Sequence, residues 1–104
     1  MKHRDITRDE ALGLLDELRA MASLEPGADP KRLARAKEIR FQLQGQEWAS
    51  PWVREKLDEA YHHLEVLFSA RRWRELLSID ALRDEVKGIC SRISKSLSAD
   101  ARAV

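Results

Sequence analysis

The chain holds few residues whose types and spacing could do chemistry. Glu59-Ala60-Tyr61-His62 reads E-x-x-H, the spacing that sets a carboxylate and an imidazole on one helical face in di-iron bundles. Such a centre needs a second copy of the motif and two further carboxylates. Only one copy is present, so a second chain would have to supply the rest, with Glu38 or Glu10 as a further ligand. Asp58 to His62 and Glu59 to His63 are equally plain i,i+4 pairs that support a helix. No cofactor and no metal are expected on this pattern. Cys90 is the single cysteine. It falls in an apolar stripe with no histidine placed near it as a base, so it reads as a small buried hydrophobe. Ser91, Ser94, Ser96 and Ser98 read as a polar helix face. No hydrolase, kinase or transferase motif and no glycine-rich phosphate loop occurs, and nothing supports an enzyme.

Two features could serve binding. Arg71-Arg72-Trp73-Arg74 is the densest basic cluster, and cations around an aromatic can hold phosphate and stack on a base. Glu75 follows at once. The 104 residues carry 19 Lys plus Arg against 18 Asp plus Glu, a net charge of +1. Each quarter of the chain is within one charge of neutrality, so no segment carries a field that draws a polyanion from afar. A helix-turn-helix over 70–93 would open its recognition helix with Asp80, Asp84 and Glu85, acids facing phosphate.

The second feature is a set of aromatics. Phe41, Trp48, Trp52 and Trp73, with Val66 and Leu77, fall on second apolar faces of two helices. Aromatics bury large area at low entropy cost and anchor protein interfaces. A helix apolar on two sides is either central in its own fold or paired with another chain. Both remain open here: aromatics as core, or as a surface that meets a second copy of this chain or another protein.

The elements that position these residues follow from the turn signals. Thr7-Arg8-Asp9-Glu10 fits a capping box, Asp29-Pro30 and Ser50-Pro51 pair an N-cap with proline at the first helical position, and Ser78 precedes an acidic first turn. The spacing predicts helices over about 8–24, 30–48, 51–77 and 79–97, with a frayed tail over 98–104, in a single domain. No segment alternates with period two. The expected fold is an all-α, four-helix bundle, mostly up-and-down, with a long central third helix. Ala11, Leu14, Leu15, Leu18, Met21 and Ala22 form one stripe. Ile79, Leu82, Val86, Ile89, Cys90, Ile93 and Leu97 form another. Leu33, Ala36, Ile39 and Leu43 share a face of helix two. Val53, Leu57, Ala60, Tyr61, Leu64, Leu67 and Phe68 share a face of helix three. No apolar run approaches the ~20 residues of a membrane span, and a lone cysteine points to a reducing cytoplasm.

The functional expectation is a small non-catalytic protein–protein interaction module, self-associating as a homodimer through the aromatic faces of helices two and three. The alternative is a small nucleic-acid-binding regulator that uses Arg71, Arg72 and Arg74.

Overall fold

The computed structural model describes residues 5–69 and 78–102. Its elements are α1 (Arg8–Met21), α2 (Pro30–Gln44), α3 (Pro51–Phe68) and α4 (Ile79–Arg102). All four start where the capping chemistry places them. Thr7 Oγ accepts from the Glu10 amide at 3.1 Å, and the Glu10 carboxylate accepts from the Thr7 amide at 3.3 Å. Asp29, Ser50 and Ser78 accept from the amides of Arg32, Val53 and Ala81 at 3.0, 3.2 and 3.1 Å. Each bond satisfies a donor that the first turn leaves without an intrahelical partner.

The helix ends differ from the pattern, each for a structural reason. α1 stops at Met21 because the next amides tighten to i−3 acceptors: Ala22 to Arg19 O, Ser23 to Ala20 O and Leu24 to Met21 O. α2 stops at Gln44, and Gly45 caps it. The Gln44 carbonyl then accepts from Arg54 Nε at 3.1 Å. α3 stops at Phe68 and not at 77, because Ser69 is extended (φ −84°, ψ 159°). Its last carbonyls are taken by the α1–α2 loop: the Gly27 amide donates to Leu67 O and the Asp29 amide to Phe68 O, both at 2.9 Å. Gly27 reaches this geometry with φ +148°, a conformation that side chains disfavour. α4 continues as helix to Arg102, past the point expected to fray. At 24 residues it, and not the 18-residue α3, is the longest helix.

Cross-helix bonds fix the directions. Ile6 near the start of α1 meets Gln46 after the end of α2, and Glu17 late in α1 meets Arg35 early in α2. Gln44 meets Arg54, and the start of α2 meets the end of α3. Arg83 early in α4 donates to the Leu24 carbonyl after α1 at 3.0 Å. Neighbouring helices in these pairs are therefore antiparallel. The principal packing runs in a ring, α1 to α2 to α3 to α4 and back to α1, so no helix occupies a central position.

The four expected stripes meet inside the ring. Leu15, Ile39, Leu43, Leu57, Leu64, Phe68, Val86, Ile89 and Ile93 are essentially fully buried. Leu14, Leu33 and Tyr61 pack at its margin. Ile79 departs from its stripe: it opens α4 before the interior begins and is 45% exposed. Gln46 is the buried polar residue of this interior. Its carbonyl oxygen accepts from the Ile6 amide at 3.2 Å and its amide donates to Gln42 O at 2.9 Å, so its burial leaves these groups satisfied.

Candidate protein-binding surface

The aromatics expected on the second faces separate. Phe41 is 44% exposed and Trp52 43% exposed. Trp48 and Val66 instead pack against the core. Trp48 lies seven residues from Phe41, a spacing that shares a face only in a continuous helix, but α2 ends at Gln44. Trp48 therefore sits in the turn that crosses to α3, where it folds inward. Trp73 and Leu77 lie outside the described residues, as do Arg71, Arg72 and Arg74.

Phe41 and Trp52 do not share a surface. Arg40 lies over the Tyr61 ring at 4.2 Å and 3.4 Å from Asp58, and Gln44 donates to Asp58 at 2.9 Å. These contacts mark the flank of α3 that meets α2. At ~100° per residue, Arg54, Asp58 and Tyr61 lie on that flank. Trp52, Glu59, His63 and Val66 lie on the opposite one, toward α4. Phe41 lies on the outer face of α2, turned away from Ala36, Ile39 and Leu43.

The cations of α2 are largely held within the chain. Arg35 spans to α1 with a forked bond to Glu17 at 2.5 and 3.0 Å and a third contact to Glu38 at 2.7 Å. The hydrogen-bonded Arg35 guanidinium holds the Glu17 carboxyl below its ordinary pKa, and Glu17 raises that of Arg35. Arg32 lies 3.4 Å from Asp29 and over the Phe68 ring at 4.8 Å. Arg40 serves Asp58 and Tyr61. Lys31 and Lys37 are exposed. Sequence reading missed the Glu17–Arg35 bridge, because eighteen residues of separation carry no local signal. Between α1 and α2 runs an open groove of about 510 Å³, lined by Ala20, Met21 and Leu24 on one side and Lys31, Arg32 and Arg35 on the other.

The E-x-x-H motif does not converge. Glu59 pairs with Lys56 at 2.9 Å, and His62 Nδ1 faces Glu65 at 3.7 Å. The expected i,i+4 pairs give way to these i,i+3 contacts and to the reach of Asp58 across to α2. Among the described residues, no three His, Cys, Asp or Glu side chains gather as a metal site. Cys90 is 1% exposed, and burial pushes its thiol up to about 12. At neutral pH the nucleophilic thiolate is almost absent. No helix among the described residues is long and apolar enough to cross a membrane. No family model, no curated protein and no solved structure matches the chain.

Proposed function

We propose that this chain is a small non-catalytic protein–protein interaction module that associates with itself. The observation that carries the reading is the pair of half-exposed aromatics, Phe41 and Trp52, on a bundle whose other described large aromatics pack on or in the core. Large exposed aromatics are the residue type that anchors interfaces. A near-neutral chain meets its own copy without bulk repulsion.

Light scattering from low to high micromolar concentration tests this. The expected result is a concentration-dependent rise in mass, reduced by Phe41→Ala or Trp52→Ala with the melting temperature held. A mass that stays at 12.0 kDa throughout overturns self-association.

A further inference from the structure

The four contacts of the ring are not alike. α2 is tied firmly to α3: Arg40 and Gln44 reach Asp58, Gln44 and Arg54 exchange bonds, and Arg40 covers the Tyr61 ring. α1 packs broadly on α4, and α4 on α3. The α1–α2 contact is the thinnest of the four. The open groove over Ala20, Met21 and Leu24 occupies part of it. The Glu17–Arg35 bridge that spans it has both side chains 40% exposed. The loop between these two helices is itself divided. Its first part is held by α4, since the Leu24 carbonyl accepts from Arg83. Its second part is held by α3, since the Gly27 and Asp29 amides donate to the Leu67 and Phe68 carbonyls. The change from one to the other falls across Glu25 and Pro26.

We propose that the bundle opens along its α1–α2 edge as two leaves, α1 with α4 and α2 with α3, with Glu25 and Pro26 as the hinge of the loop and the Glu17–Arg35 bridge as the latch. Each of the loop bonds just named lies within one leaf, so opening breaks none of them. It does break the bridge, whose two partners are already partly in water and regain hydration readily. It also breaks the bond from the Ile6 amide to Gln46 at the far end of the edge. Apolar side chains part as well. Met21 lies one turn beyond Glu17 and Ile39 one turn beyond Arg35, both buried, and their burial keeps the open state minor. The broad α3–α4 contact stays closed and serves as the spine. Opening of this kind is sub-global, less costly than unfolding because each leaf keeps its own helix pair. It gives the interior an entrance on one side of the ring. Nothing in it requires a second copy of the chain, so it stands apart from the self-association reading.

Thiol labelling of the full chain with a water-soluble aromatic disulfide, at urea concentrations below the unfolding transition, tests the opening. Cys90 is buried on α4 close to Asp16 and Arg19 of α1, so it stays covered within its own leaf. A cysteine placed by Ile39→Cys, in a chain that also carries Cys90→Ala, is uncovered. Corrected for intrinsic thiol reactivity, the Ile39→Cys chain should react about tenfold or more faster than Cys90 does in the wild type. Its rate should rise with urea much less steeply than global unfolding does, because opening exposes only part of the surface that unfolding exposes. Adding Glu17→Gln should raise that rate about threefold. Leu18→Cys with Cys90→Ala reads the same opening from the interior face of α1 and serves if Ile39→Cys does not fold. A rate at either position equal to that of Cys90, or one that climbs with urea along the global unfolding slope, overturns the proposal.

Discussion

Phe68 and Phe41 are the two phenylalanines of the chain, and the molecule treats them in opposite ways. Phe68 ends α3 at 1% exposure, with the Arg32 guanidinium over its ring and its carbonyl bonded to the Asp29 amide. Phe41 sits one turn before the end of α2 at 44% exposure, on the side of α2 turned away from Ala36, Ile39 and Leu43. The same side chain is held from every side in one region and left half in water in the other. Residue type alone therefore does not separate core from surface here. What separates them is whether the helix turns that residue toward its ring neighbours, which the contacts of Arg40, Gln44 and Arg35 decide for α2.

The comparison can be broken or sharpened by substitution. Phe68→Ala should cost ~3–5 kcal/mol in urea unfolding, the range for truncating a buried phenylalanine. A loss below ~1 kcal/mol would contradict its place in the interior. Next in size is Gln46→Leu. It leaves the Ile6 amide without its acceptor and the Gln42 carbonyl without its donor, a cost of ~1–3 kcal/mol that thermal melting would show.

Glu17→Gln tests the boundary between the two regions. Both side chains of the Glu17–Arg35 bridge are 40% exposed, so the loss at pH 7 should stay under ~1 kcal/mol. The folded Glu17 carboxyl lies below its unfolded value of about 4.3. The bridge's contribution is therefore fully present above that pH and fades as the solution is acidified through the lower folded value. Chemical denaturation at pH 7 and pH 3 should show a smaller wild-type-to-variant gap at pH 3. The smallest effect on folding belongs to Phe41→Ala, within ~0.5 kcal/mol, while its effect on association is the largest of the series. A substantial drop in its melting temperature would make Phe41 part of the core after all.

The helix starts were legible because N-capping is local. Thr7, Asp29, Ser50 and Ser78 each bond an amide three residues on, and each is a side chain that can do so. The ends were not legible, because distant groups set them. The carbonyls that finish α3 are bonded by Gly27 and Asp29, and the one that finishes α2 by Arg54. The same difference explains Trp48. Its seven-residue spacing from Phe41 holds only while the helix continues, and Gly45 stops it first. The buried stripes were readable from periodicity, since Leu57, Leu64, Val86 and Ile93 repeat at helical spacing.

The bonds from Gly27 and Asp29 to Leu67 and Phe68 also order events as the chain is made. The loop between α1 and α2 leaves the ribosome some forty residues before its amides meet their acceptors. Until then the loop has only water to bond, and α2 begins on its Asp29 side-chain cap alone. Only once Phe68 has emerged can the loop amides find their acceptors and the ring pack beneath Arg32. A nascent chain arrested before that residue is exposed should be cut by protease between α1 and α2, and one arrested well after it should resist.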